Sequence, residues 1–406
     1  MSLINEDEIS IIMERYQYSK ILKWSLDNYS DKLIGHLGDH LRLTVTVETN
    51  NGSQVLKFFV KCMPGFDEWK AKYLKELGFF HKEYIMLRQL FKQFDGNTFK
   101  WRPELLFVRD DLFVFEDVAE LGYVMPCHLS TMGHDEIKAT VVTMAKFHAQ
   151  SIIYEEKKTK ELGKLYRIWE DYSDYLKEPE AGDDWRDAGR NAVIDFLKVY
   201  SSFRSKPDFA KRLETVVPML YEGAVALMKP SVTYRNVIVH RDLWTNNIFL
   251  KKEGDGKLHA LIVDFQTVLY CSPMLDLSSL LFFNTTKSYR DMYTDEILSF
   301  YYEILSEDLK SKNIDVCTVL DKPSLIQSYK ESVMFGITQA AIIVPIVAMI
   351  FNYHTYIYLM RFLSKLCFSI ICPESIFAGN VFDIMPTTLS AYHHLLYTAS
   401  LASKIH

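Results

Sequence analysis

The chain has 406 residues, too many for one ordinary compact core and suited to two domains or two lobes. Apolar residues make up 49% of it and charged residues 24%, a balance that excludes a disordered chain. The formal net charge is −6 and no dense Lys/Arg tract appears, so nothing favours a nucleic-acid partner.

The first apolar pattern reads as a helix over residues 6–26, ending near Asp27 and Asn28. Its acidic start lacks the basic and apolar regions of a signal peptide. Leu41, Leu43, Val45 and Val47 then alternate with Arg42, Thr44, Thr46 and Glu48, the period of two of a half-buried strand. Asn50-Asn51-Gly52 supplies a turn, and residues 54–63 a returning strand. A helix follows at 79–94, and two more strands fit 105–109 and 112–116. Together these make a small sheet-based lobe that ends near Asp117.

Beyond it the pattern turns helical. The spacing predicts a helix over residues 135–154, and the charge run from Glu155 to Glu161 is most simply its solvated end. Residues 178–190, with Pro179, Gly182 and Gly189, read as an exposed loop. A long helix then precedes two short strands, 248–252 and 259–263, with Gly254-Asp255-Gly256 turning between them, and the rest is mostly helical. Residues 332–360 carry no Lys, Arg, Asp or Glu, but Gln339, Pro345, Asn352 and His354 interrupt the run. It therefore reads as buried core of the larger lobe, not a membrane span. The cysteines Cys62, Cys127, Cys271, Cys317, Cys367 and Cys372 form no CxxC pair and no zinc-spaced array. They read as reduced thiols of a cytoplasmic protein.

The strongest chemical signal runs from Val237 to Leu250 and contains His240, Asp242 and Asn247 as HxDxxxxN between apolar, strand-like segments. Asp264 follows after the hairpin. Phosphoryl transfer needs such a set. A hydroxyl nucleophile must be oriented and its proton accepted, which suits Asp242. Phosphate charge needs hard cations on oxygen ligands, which Asn247 and Asp264 supply for Mg²⁺. In the small lobe, Lys61 stands near a strand end, from which it can reach nucleotide phosphates. Phe80, Glu83, Tyr84, Leu87 and Phe91 share a helix face, which puts the Glu83 carboxylate on an apolar stripe. Pairing with Lys61 removes the cost of burying it alone. Gly35 and Gly38 fit a phosphate-covering turn, and the strand reaching Glu116 and Val118 offers backbone groups to adenine.

These residues resemble the ecdysteroid-kinase-like family, also called CHK-kinase-like, which is related to choline kinases and aminoglycoside phosphotransferases. The matching stretches are Val60-Lys61, the Glu83 helix, Phe115-Glu116-Asp117-Val118 with Gly122-Tyr123, and Met144 to Ala149. They continue with His240 to Asn247, Asp264-Phe265-Gln266 and Pro273 to Leu277. The resemblance implies an α+β, protein-kinase-like two-lobed fold: a nucleotide-binding lobe at 1–117, a hinge at 118–123 and a helical lobe at 124–406. It also implies ATP and Mg²⁺ as cofactors and a small lipophilic hydroxylated acceptor, an ecdysteroid or a xenobiotic alcohol or phenol. No obligate protein partner is expected. Asp276 and His240 are expected to brace the catalytic loop. One departure is Arg241, where the family usually has Gly, giving the His-Arg-Asp of protein kinases. Trp244, Gln266 and the missing APE segment after Asp264 speak against a protein kinase. A degenerate, merely ligand-binding relative would have lost Lys61, Asp242, Asn247 or Asp264, and all four are present.

Overall fold

A computed structural model of the chain describes residues 3–16, 20–30, 38–50, 52–65, 68–94, 99–127, 131–179 and 183–351. It divides into two compact units, Met1–Pro179 with Leu227–Val333, and Glu180–Ala226 with Met334–His406.

The first unit opens with α1 (Glu6–Glu14), started by a reciprocal cap in which Asn5 Oδ1 accepts from Glu8 N–H and Glu8 Oε2 accepts from Asn5 N–H. Ile9, Ile12 and Met13 form its buried face. The helix expected to reach residue 26 stops here, and β1 (Ile21–Asn28) is a strand instead. Trp24 and Leu26 lie opposite Val45 and Leu43 of β2 (Asp39–Thr49), so ladder pairing and packing on the α1 cluster override the local helical spacing. β2 returns as β3 (Gly52–Cys62), with Thr49 opposite Gly52. Then come α2 (Glu68–Leu77) and α3 (Phe79–Ile85), which runs on as one π-helical turn, Met86–Leu90. β4 (Leu105–Arg109) and β5 (Leu112–Glu116) complete an antiparallel sheet of order β1-β2-β3-β5-β4. One sheet face packs Leu43, Val45, Val47, Phe58, Val60 and Val114 on α1. The opposite face carries Lys61 and Phe113, and the Phe113 ring stacks on Phe80 of α3 at 4.6 Å.

The helical part begins with α4 (His134–Leu162), which Gly163 ends in a left-handed conformation. Glu155, expected in solvent, is fully buried. It accepts from Ile168 N–H and the Tyr270 hydroxyl and pairs with Arg235 at 2.7 Å. The contacts that satisfy it come from distant segments, so a local charge run misreads it. α5 (Ile168–Tyr172) follows. Residues 183–190, expected as a loop, belong to α6 (Asp183–Tyr200) of the second unit. Gly189 there marks a close helix contact and not a turn, since a Cβ on it would stand 3.0 Å from Ile342 Cγ2. α7 (Phe209–Leu227) leads back to the first unit.

β6 (Val237–Val239) enters the central loop. After a 3₁₀ turn at Thr245–Asn247, β7 (Ile248–Lys252) and β8 (Leu258–Ile262) form a hairpin. A second 3₁₀ turn, Phe265–Thr267, leads to β9 (Leu269–Cys271), which pairs with β6. Thr143 Oγ1 donates to Ala260 O at 2.8 Å and so ties α4 to the hairpin. α8 (Met274–Asn284), α9 (Lys287–Lys310), α10 (Val316–Val319) and α11 (Lys322–Phe351) follow. Phe335, Ala340, Ala341 and Ile342 of α11 are buried, and no helix among the described residues is long and apolar enough to cross a membrane. The expectation of helices after residue 351 lies outside the described residues.

Candidate active site

The loop after β6 is built on one buried carboxylate. Asp276, in the first turn of α8, accepts from His240 N–H at Oδ2 (2.6 Å) and from Arg241 N–H at Oδ1 (2.5 Å). His148 Nε2 lies 3.0 Å from the same Oδ2, and its Nδ1 meets the Tyr301 hydroxyl at 2.9 Å. A fully buried anion held by this many donors is satisfied, and it sets the path of the chain into Asp242. The buried His240 ring donates from Nε2 to Val263 O (2.8 Å) and accepts at Nδ1 from Asp242 N–H (3.3 Å). It thereby joins the loop to the end of the hairpin.

Asp242 and Asn247 face each other across the 3₁₀ turn. Asn247 Nδ2 donates to Asp242 O (2.9 Å) and Oδ2 (3.0 Å), and Trp244 Nε1 donates to the same carboxylate at 3.3 Å. With its amide nitrogen engaged, Asn247 keeps Oδ1 as an acceptor. Its main-chain carbonyl takes the Val263 N–H at 3.0 Å, which brings it beside the residue preceding Asp264. Burial raises the Asp242 pKa, the nearby Asp264 charge adds to it, and Arg241 and the Trp244 hydrogen bond pull against it.

Asp264 adopts a left-handed backbone, φ +70°. Its Oδ1 accepts from Lys61 Nζ at 2.8 Å and its Oδ2 from Gln266 Nε2 at 3.1 Å. Lys61 also reaches Glu83 Oε2 at 2.5 Å, and the other Glu83 oxygen accepts from Phe265 N–H at 3.0 Å. Strand, helix and post-hairpin turn are thus joined through Glu83, Lys61 and Asp264. Burial opposes the Lys61 charge, but Asp264 and Glu83 together raise its pKa above the ordinary lysine value. Burial likewise works to raise Asp264, and the Lys61 ammonium more than offsets it, so this carboxyl lies below its usual value. Phe265 anchors the turn among Phe91, Trp101, Phe147 and His240, with ring centroids 5.1 to 5.6 Å away.

Gly38 lies against the Lys61 stem; a Cβ there would be 3.5 Å from Lys61 Cγ and 3.3 Å from Cys62 O. Gly35 lies outside the described residues. The Glu116 carboxylate accepts at Oε1 from Lys100 (2.5 Å) and from Glu104 N–H (2.7 Å), and its own N–H donates to Glu104 O (3.1 Å). Val118 is buried with Tyr123 and Leu261, and its carbonyl caps a tight turn by accepting from Leu121 and Tyr123 N–H. Two further residues, Lys82 and Glu178, touch the loop region from 186 and 63 residues away along the chain. No local pattern signals contacts of that span.

The donor chemistry fits magnesium. Among the described residues no three or more His, Cys, Asp or Glu side chains group as a metal cage. Mg²⁺, however, is typically held by one or two protein oxygens with phosphate oxygens and water completing the shell. Asp264 and the free Oδ1 of Asn247 are that kind of pair.

An antiparallel sheet with a Lys–Glu pair to its helix, joined to a helical part that carries an HxDxxxxN loop and a hairpin ending in Asp, is the protein-kinase-like fold. A family match over most of the chain makes this a small-molecule kinase-like protein. More closely, it belongs to the ecdysteroid kinase-like family, whose model matches residues 35–314. No curated protein matches it in sequence. Solved structures that resemble it include Plasmodium vivax ethanolamine kinase, at 11% identity and a TM-score of 0.40, over 90% of this chain and 84% of that one. An ADP-bound aminoglycoside phosphotransferase is 13% identical with a TM-score of 0.37, over 89% and 97% of the two chains. A microcompartment-associated aminopropanol kinase is 12% identical with a TM-score of 0.35, over 91% and 98%.

Proposed function

We propose that this chain transfers the γ-phosphate of ATP to a hydroxyl of a small lipophilic molecule, an ecdysteroid or a xenobiotic alcohol or phenol. The observation that carries the reading is the convergence of Lys61 and Asp264 with the hydrogen-bonded Asp242–Asn247 pair. In this reading residues 1–117 bind nucleotide, 118–123 form the hinge, and 124–406 carry the catalytic loop and the acceptor site. The Glu116 and Val118 backbone meets adenine, while Gly35, Gly38 and Lys61 meet the phosphates, with Lys61 held in place by Glu83. Asn247 and Asp264 hold Mg²⁺, which when bound neutralises phosphate charge. Asp242 orients the acceptor hydroxyl and takes its proton as the new P–O bond forms and the γ-phosphorus bond to the departing ADP breaks, a transfer that its raised proton affinity favours. His240 and Asp276 brace the loop from behind. Free thiols at Cys62 and Cys271 suit action in the cytoplasm.

Protein phosphorylation fits less well. Only the 3₁₀ turn Phe265–Thr267 and β9 separate Asp264 from α8, which leaves no room for a peptide-docking segment. The test is incubation of the purified chain with ATP and Mg²⁺ against sterols, plant phenols, choline-like alcohols and generic protein substrates, read by mass spectrometry. A phosphate mass added to a lipophilic alcohol is the expected result. Phosphate found only on proteins contradicts the reading.

A further inference from the structure

Arg241 is the loop residue that its own backbone least favours. Its φ of +75° is a left-handed conformation at home in glycine, and the residue is only 8% exposed. Asp276 already holds the main chain here, so the loop's path does not require a long cationic side chain. That side chain turns to Glu178, with Nη1 2.5 Å from Oε2 and both groups largely buried. Lys82, the buried neighbour of Glu83 on α3, donates to Lys177 O at 3.2 Å and to Val268 O at 3.3 Å. The Lys177–Glu178 segment is therefore gripped by the catalytic loop on one side and by the helix bearing Glu83 on the other. The same lysine also holds the strand entry after Asp264.

An arginine kept in strained backbone and withdrawn from water has a cost that glycine avoids, and strain of this kind is informative where the surroundings over-determine it. We propose that Arg241 is a positioning residue: its pair with Glu178 fixes the peptide that carries Asp242 and, through Lys177 and Lys82, ties that loop to the helix that holds Lys61 in place. This rests on the phosphotransfer reading above. Without the pair the Asp276 brace still folds the loop, but Asp242 can rock relative to the phosphates. Misplacement by about an ångström can cost on the order of a hundredfold in rate.

The test uses the full chain with Arg241→Gly, Arg241→Lys, Glu178→Gln and the double variant Arg241→Gly/Glu178→Gln. Glycine suits the φ, so Arg241→Gly is expected to fold. Its kcat should fall about tenfold or more, with the KM for ATP within about twofold of wild type. Glu178→Gln should behave the same way, and the double variant should be no slower than the worse single one, because both lose one link. Arg241→Lys should recover part of the rate, having the charge but not the planar fork. Amide hydrogen exchange at residues 177–179 and 240–247 should quicken in both single variants, a readout that needs no acceptor. Wild-type kcat in Arg241→Gly, additive losses in the double variant, or unchanged exchange in those segments each overturns the proposal. If the wild-type chain phosphorylates no acceptor while exchange quickens, the mechanical link stands and the phosphotransfer reading fails.

Discussion

Glu83 is the member of the site whose removal has the most calculable consequence. It is 1% exposed and has two jobs, holding Lys61 at 2.5 Å and accepting the Phe265 N–H at 3.0 Å. Breaking a buried ion pair by deleting one partner costs roughly 3–5 kcal/mol. Lys61 keeps Asp264 at 2.8 Å, so the lower end, about 3 kcal/mol, applies to Glu83→Gln. In Glu83→Ala the Phe265 amide is orphaned as well, adding about 1–3 kcal/mol. Urea unfolding of the three chains measures both steps. The KM for ATP should rise in both variants, because Lys61 is then drawn to Asp264 alone. If the two variants unfold within about 0.5 kcal/mol of each other, below the cost of an orphaned amide, the assignment of the second oxygen to Phe265 is wrong. If both match wild type, the buried pair contributes nothing and the reasoning fails.

Lys82 gives a pH dependence. Burial lowers its pKa to about 8, with Glu178 opposing the shift and Arg241 adding to it. In the unfolded chain it titrates near ~10.4, so between the two values the unfolded chain binds more protons than the folded one and stability rises with pH. The gain is up to ~3 kcal/mol, flat below the folded pKa, where both states are charged, and complete above the unfolded one. Lys82→Met should flatten this rise in urea titrations from about pH 7 to pH 10; an unchanged slope contradicts the assignment. Two glycines of the second unit should respond differently to alanine. At Gly189 a Cβ meets branched Ile342 at 3.0 and 3.2 Å, so Gly189→Ala should lower stability by about 1–3 kcal/mol. At Gly223 the obstacle is the flexible Met334 end, so Gly223→Ala should be nearly neutral, helix propensity offsetting the displacement. Thermal melts that rank the two in reverse order refute the contact argument.

Much of the site was legible because its signals are local. A carboxylate on the apolar stripe of Phe80, Leu87 and Phe91 demands a partner, and Lys61 on the neighbouring strand is the cation within reach. The β7–β8 hairpin announces itself through its turn glycines and apolar flanks, and it sets the spacing of Asn247 and Asp264. What escaped depends on distant chain. β1 is a strand because β2 offers a ladder, although residues 21–26 alone read as helical. Glu155 looks solvated in its charge run until Arg235, Tyr270 and Ile168 arrive from elsewhere. Gly189 reads as a loop signal, whereas its missing side chain admits Ile342. The Arg241–Glu178 pair spans 63 positions and has no pattern that a single sequence could display.

In the proposed transfer Asp242 is the group that receives the acceptor's proton. The direct measurement is single-turnover phosphoryl transfer by Asp242→Asn, with ATP affinity determined on the same preparation. The rate should drop by ~10²–10⁴-fold while nucleotide binding stays within about twofold of wild type. Transfer by this variant at the wild-type rate contradicts the account.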